Sequence, residues 1–546
     1  MNPGLLGKFS PQGPGNSSCE VFFDGHLHNR QALALNLGMD AKEKYSDADL
    51  VRNAYAKWGE DFPRELSGSF AIAIADHAKQ KFFAARDPMG IRPFFYAHVR
   101  ENILFASDLS RIARHPDFSR APNEETIAFH LANLYVLQGT TFYRGLERLP
   151  PGHCLRFDSR GLYVKKFWSF SPRPENYRGG HAEACLSLLR GAVSDSLAGV
   201  GRIGLLASGG LDSSSIAALL IESIKPTLLS AKFQAPSASD RGLLKLLADH
   251  FQLPLETFSP EENLASVDFN EDPLMEDLYS EPSFLIFRPL LEFARRQGIR
   301  TLLLGHGGDD LFTPPTNYLS ALLARGRFPS LAREIASRND ASSSSLNYLY
   351  SYALRPLLAN TPFSRLREFF PRRAPPGVKN HFLKKFEVLP RAAEILRLAR
   401  KEFLRTHGGP LYRADHYLRL FVGGAYSHRF EQQEMMAMRL GCEFRYPLHD
   451  LRLVNFVFQL PIEELSRHGV SKVVFRNAMR GLLPDPIRRQ ERFQDYTCLD
   501  QASLSRQAET LKQFRARLKL ADMGAIDARY FNVNWDKFAA AEATDV

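Results

Sequence analysis

Residues 202–220 read RIGLLASGGLDSSSIAALL. A short, almost continuous apolar run ends in a glycine turn and passes straight into a helical pattern. That is a buried strand feeding a helix, the unit from which parallel α/β sheets are assembled, with ligands at the carboxyl ends of the strands. Glycines let backbone amides close around an anion, the hydroxyls of Ser208 and Ser213 suit phosphate oxygens, and a helix N-terminus favours negative charge. No lysine follows the glycines, so this is not a Walker A loop. Asp212, inside the turn, makes sense as a ligand to a magnesium ion that bridges to the phosphates. The alternative is a tight turn followed by a helix cap.

A second motif, Gly305-His306-Gly307-Gly308-Asp309-Asp310, follows the apolar run IRTLLL. Asp309 offers a second magnesium ligand, and two such strand ends side by side would clamp one metal-nucleotide. Between the motifs, TLLSAKF predicts a strand, and SDRGLLKLLADHFQ and SFLIFRPLLEFARRQG predict helices. Beyond Phe312 the pattern is mostly helical.

The first 165 residues have another texture. CEVFFDG, SFAIAIAD, KFFAARD, RPFFYAHV, NILFASD and HCLRF are short runs separated by turn signals, which suits stacked antiparallel sheets. SDADLVRNAYAKWG intervenes as a helix capped by Ser46, with Leu50, Ala54 and Trp58 on one face. SFSPRPENYRGG is a linker, and HAEACLSLLRGAVSDSL an amphipathic helix.

These motifs together resemble the asparagine synthetase B family. SGGLDSS is similar to the pyrophosphate loop of ATP pyrophosphatases. FDGHLHNRQAL, SDADLVRNAYAKWGEDFPRELSGSFAIAIAD and KFFAARDPMGIRPFFY resemble the family's glutaminase domain, and LPPGH its domain-joining strand. GHGGDDLF, CEFRYPLHDLRLVNFVFQLP and SKVVFRNAMRGLLP complete the series, leaving only residues 313–429 uncovered. The resemblance implies an N-terminal nucleophile-hydrolase-like β-sandwich at 1–165, a linker at 166–180, and an ATP-pyrophosphatase α/β domain at 181–546. A largely helical insertion at about 313–429 would interrupt the last. It implies ATP bound by Leu206, Ser208, Gly209, Gly210, Asp212, Ser213, Lys232, Gly305 and Gly307, with Mg2+ on Asp212 and Asp309. Lys472 matches the lysine beside the acyl-adenylate, where a cation stabilises developing charge. Its alternative is a surface lysine starting a helix. Asp240 falls in the nucleotide-side segment with Lys232.

The sequence also departs from the family. A working glutaminase uses a cysteine as its mature N-terminal residue, whereas Asn2 follows Met1 and the first cysteine is Cys19. Asn29 matches the oxyanion-side asparagine but would have no nucleophile to serve. The N-terminal domain is therefore expected to be a retained structural or docking unit. An enzyme of this family without its own ammonia activates a carboxylate for an amine already in the substrate. β-Lactam synthetases do so with small molecules and lasso-peptide cyclases with peptides. GHGGDDLF is more like the cyclases, which implies a macrolactam closed between a peptide N-terminus and an Asp or Glu side chain. A leader peptidase and a leader-binding protein would then be partners. Ammonia-dependent asparagine synthesis and a non-enzymatic peptide-binding scaffold are the other readings.

His306 stands where asparagine synthetases carry glutamate and β-lactam synthetases tyrosine. An imidazole there is expected to accept a proton from the attacking ammonium, or else to contact phosphate or a neighbour. Glu281, Glu431 and Glu434 are its candidate partners. Glu443, Arg445 and Asp450 serve either the site or buried ion pairing, while His26 and His28 are expected to pack or face solvent.

The net charge of +10 is local: residues 313–429 hold 20 Lys and Arg against 7 Asp and Glu, so the remainder is slightly acidic. This segment is a docking surface or a solvated helical face. No nucleic-acid module is recognisable. Five scattered cysteines exclude a disulfide scaffold and a zinc ribbon. Without a signal-like or membrane-length apolar run, a cytoplasmic protein is expected.

Overall fold

The computed structural model describes residues 6–11, 19–40, 43–172, 180–232, 242–260, 284–315, 317–337, 345–358, 376–490 and 519–534. The N-terminal half stacks two antiparallel sheets. One runs β1 (Leu6–Phe9), β6 (Asn102–Ala106), β5 (Phe95–Val99), β7 (Leu146–Arg148); the other runs β2 (Cys19–Leu27), β3 (Gly68–Asp76), β4 (Lys81–Arg86), β8 (His153–Asp158), β9 (Gly161–Lys166). Strand β3 shows why they stack. Its alternation puts Ala71, Ala73 and Ala75 on the face between the sheets, against Phe82, Phe94 and Phe105. Phe70, Ile72 and Ile74 point the other way, into a core shared with helices α1 (Arg30–Leu37) and α2 (Asp47–Trp58). Period-two side chains with both faces buried give a strand apolar throughout. As expected, Ser46 caps α2, accepting from the Asp49 amide while the Asp49 carboxylate reaches back to its own.

The C-terminal half is built on a parallel sheet in the order β12 (Leu255–Phe258), β11 (Thr227–Ala231), β10 (Ile203–Leu206), β13 (Thr301–Leu304), β14 (Glu443–Arg445). Helices α3 (His181–Asp195), α4 (Leu211–Leu220) and α5 (Phe284–Arg296) contribute to its core. Strand β10 lies between β11 and β13, so the chain switches sides there, the position at which such sheets open a crevice for ligand. Leu206 pairs with Leu304 in register, so the two strands end level.

Between 313 and 429 every regular element among the described residues is helical, the longest being Val388–His407. Many of its cations are spent internally. Arg391 and Lys385 pair with Glu125 and Glu124 of the sandwich domain, and Arg400 pairs with Asp415. Arg397 and Arg405 pair within their own helix, and Arg413 donates to the Leu460 carbonyl.

The halves are joined by helix α6 (Ala425–Arg439). Met435 packs under Phe95 and Leu104 of the sandwich, and Arg86, with no exposed surface, donates to Glu431 at 2.7 Å. Arg92 meets Glu434 at 2.7 Å, and Arg439 grips Asp108 through two bonds. No helix among the described residues is long and apolar enough to cross a membrane.

Candidate functional site

Because β10 and β13 end level, the turns that follow them lie side by side. Gly305 sits so close to the start of α4 that a Cβ would come within 2.9 Å of the Ser213 amide. A side chain on Gly308 would collide with the Asp212 carboxylate, and one on Gly307, at φ +98°, with the His449 ring. Gly209 takes φ +71° against the Leu244 backbone. These glycines are the condition for the two turns to touch. The capping alternative for SGGLDSS does not hold: Gly210 precedes α4 and no side chain caps it. Ser208 and Ser213 instead brace the turn, the Ser208 amide lying 3.4 Å from Ser213 Oγ and the Gly210 amide 3.4 Å from Ser208 Oγ.

Asp212 and Asp309 converge on one ammonium. Lys472 Nζ lies 2.6 Å from Asp212 Oδ2, 2.7 Å from its Oδ1 and 2.7 Å from Asp309 Oδ1. Lys472 does start a helix, Val473–Ala478, but it is no surface residue: it is 5 % exposed and its backbone is left-handed, at φ 58°. Burial pushes the Asp212 carboxyl up to about 6; Lys472 opposes the rise and Asp309 adds to it. Two carboxylates that converge on one cation suit a hard, oxygen-liking metal ion.

His306 belongs to the turn that follows β13. Burial, then Arg429 and His449, push its pKa down to about 3, so the ring is neutral. Among the described residues its partner is neither Glu431 nor Glu434. Glu431 and Glu434 are taken by Arg86 and Arg92, and Glu281 lies outside the described residues. Gln433 is the neighbour, its Nε2 3.4 Å from His306 Nδ1. The Tyr446 hydroxyl donates to Gln433 Oε1 at 3.0 Å, which turns the amide NH2 towards the imidazole. The ring proton therefore sits on Nε2, leaving His306 a donor there. Phe287 packs edge-on against the ring, 5.4 Å between centroids.

Leu206 closes β10. Lys232 follows β11 at the same edge of the sheet, exposed, its amide bonded to the Phe258 carbonyl at 2.8 Å. Asp240 lies outside the described residues. Glu443 and Arg445 form an ion pair at 2.7 Å, and Asp450 caps the helix Leu451–Val457, so these three hold the fold. His26 and His28 pack on each other, ring centroids 5.0 Å apart. The His28, Asp195 and Asp450 ligand atoms lie within 4.8 Å of one another, yet Arg452 holds both carboxylates at 2.6 Å.

The Asn29 side chain is spent on the backbone, donating to the Glu65 carbonyl at 2.8 Å and accepting from the Ser67 amide at 3.0 Å. Cys19 opens β2, whereas Asn29 follows its far end, about 26 Å along an extended strand at ~3.3 Å per residue.

A family model described as Asparagine synthase matches residues 184–545, and one described as Glutamine amidotransferase domain matches residues 11–168. The chain belongs to the asparagine synthase family, and its two halves are a class II glutamine amidotransferase fold and the family's α/β fold. It is 31% identical over 204 residues to Asparagine synthetase [glutamine-hydrolyzing] 3 of Bacillus subtilis (strain 168), covering 36% of this chain and 33% of the relative. It is 24% identical over 308 residues to the Putative asparagine synthetase [glutamine-hydrolyzing] 2 of Methanocaldococcus jannaschii, covering 54% and 58%. Asparagine synthetase [glutamine-hydrolyzing] 1 of Bacillus subtilis (strain 168) matches at 21% over 503 residues, covering 86% and 74%. The first two matches thus span about a third and somewhat over half of the relatives' lengths.

Proposed function

We propose that this chain is an ATP-dependent carbon–nitrogen ligase that activates a carboxylate as its acyl-adenylate and closes an amide, releasing AMP and pyrophosphate. The observation that carries this reading is the convergence of Asp212, Asp309 and Lys472 where two glycine turns meet. ATP would lie along the turn from Ser208 to Ser213, its phosphates facing backbone amides and hydroxyls. Asp212 and Asp309 would hold magnesium, which neutralises charge on the departing pyrophosphate. With the carboxylates so engaged, Lys472 turns its ammonium to the oxygens that gain charge as the amine attacks.

His306 enters this proposal as a donor and not as the expected base. A ring with a pKa of about 3, and with Nδ1 against an amide NH2, takes no proton from an ammonium at neutral pH. Its Nε2–H suits a phosphate or carbonyl oxygen.

The amine, in our reading, belongs to the substrate. The distance from Cys19 to Asn29 and the engagement of the Asn29 amide support a sandwich domain without glutaminase chemistry. The GHGGDDLF motif favours a peptide: its Asp or Glu side chain is adenylated, its N-terminal amine attacks, and the lasso-type macrolactam forms with net loss of one water. A leader peptidase and a leader-binding protein would supply that peptide. The names of the relatives favour a second reading, in which aspartate and ammonia are joined.

Mass spectrometry separates the two. Incubated with Mg-ATP and peptides bearing a free N-terminus and an internal Asp or Glu, the protein should shift a peptide by one water, with AMP in equal amount. AMP formed with aspartate and ammonium, and with no peptide, would replace the macrolactam reading by the second.

A further inference from the structure

Lys472 reaches the two carboxylates of the site from a very small platform. It follows directly on a hairpin of two-residue strands, Ser466–Arg467 and Val470–Ser471. Its amide is tied at 2.7 Å to the carbonyl of Leu465, the residue before the first strand. Its left-handed backbone is a conformation that costs a non-glycine residue about 1 kcal/mol or more and persists only where the surroundings impose it. A two-stranded hairpin by itself is marginal in water. The position of the ammonium therefore depends on what holds this hairpin from outside.

The hold comes from the helical insertion. Arg467 pairs with Val470, which leaves His468 and Gly469 as a two-residue turn, both left-handed at φ 54° and 79°. In such a turn the two central amides point away from the hairpin's own ladder and need acceptors elsewhere. Both find Glu334, in the insertion helix Phe328–Ala336. The His468 amide donates to Glu334 Oε1 at 2.7 Å and the Gly469 amide to Oε2 at 3.1 Å. The Tyr318 hydroxyl, also from the insertion, donates to Oε2 at 2.8 Å and lies 3.3 Å from Ser466 Oγ. The approach is so close that a Cβ on Gly469 would come within 2.7 Å of Ser337 Oγ. Glu334 is 9 % exposed. A residue serving only the packing of its own helix would be apolar there, because a buried carboxylate is costly unless its oxygens are met. Here the hairpin's backbone meets them, through charge-assisted bonds stronger than neutral ones.

We propose that Glu334 is a positioning residue for Lys472: by gripping the tip of the hairpin it sets where the ammonium stands between Asp212 and Asp309, and it makes the insertion part of the site. Any displacement of the insertion helix is then passed to the ammonium through the two amides. The functional weight of this grip rests on the reading of Lys472 as the cation that stabilises acyl transfer.

The test is the rate at which acetic anhydride acetylates Lys472 in the full chain, read by mass spectrometry after digestion, with the exposed Lys165 as internal reference. In the wild type Lys472 should react far more slowly than Lys165. Glu334→Ala should raise the Lys472 rate about fivefold or more, as the hairpin opens locally. Glu334→Gln keeps one acceptor oxygen and should raise it about twofold with an unchanged far-UV circular dichroism spectrum; it carries the test if the alanine variant does not fold. Asp415→Ala, which breaks the ion pair with Arg400 inside the insertion, should leave the rate as it is. An unchanged rate in the Glu334 variants, or an equal rise in Asp415→Ala, would overturn the proposal. The labelling reads the ammonium's place whatever reaction follows. Faster labelling with unimpaired turnover would thus uphold the grip and overturn instead the part given to Lys472 in acyl transfer.

Discussion

Asp212 carries a thermodynamic signature of its position. Burial raises its carboxyl to about 6 from an ordinary 3.8, so between those values the folded chain holds a proton that the unfolded chain has released. Stability from this group is therefore complete below the ordinary value and declines as the pH rises to about 6, after which it is flat. An offset of about two pH units corresponds to at most about 3 kcal/mol. The melting temperature of the wild type minus that of Asp212→Asn should fall across this window; a difference that rises or stays level would refute the assignment. Lys472 sets the counterweight, and removing it should lift the carboxyl further. The sequence showed Asp212, Asp309 and Lys472 as separate motif members. It could not show that one ammonium binds both carboxylates, because residues 212 and 472 meet only through the fold.

At the scale of elements, the site depends on two turns that touch. Gly308→Ala places a methyl group into the Asp212 carboxylate, so it should cost ATP affinity at least about tenfold, roughly 1.4 kcal/mol, while far-UV circular dichroism is unchanged. Equilibrium dialysis with labelled ATP checks this. Strands with a strong pattern were legible: the alternation in β3 and the apolar runs of β10 and β13 are visible in the residues alone. The short strands β7, β9, β12 and β14 were not, since three to six residues without clear alternation look like loop. Strand β14 begins 139 residues after β13 ends, across the helical insertion. Gln433 was missed as the His306 neighbour because two glutamates flank the Gln pair and carboxylate partners are the more common expectation. The helix aims both glutamates at arginines instead.

For the whole molecule, the sandwich and the α/β half are held by charges that water does not reach. Arg86 and Glu431 have no exposed side-chain surface. Glu431→Ala should therefore destabilise by about 3–5 kcal/mol, through the arginine left without its counterion, and Arg86→Met/Glu431→Met should recover much of it. Denaturant unfolding measures both. A milder loss in the single variant than in the double would contradict the interface described. The same contacts tie the halves to each other. Swinging them apart would strand Arg86, Arg92, Glu431 and Glu434 at once, so the domains move as one piece and the seam between them is a fixed wall.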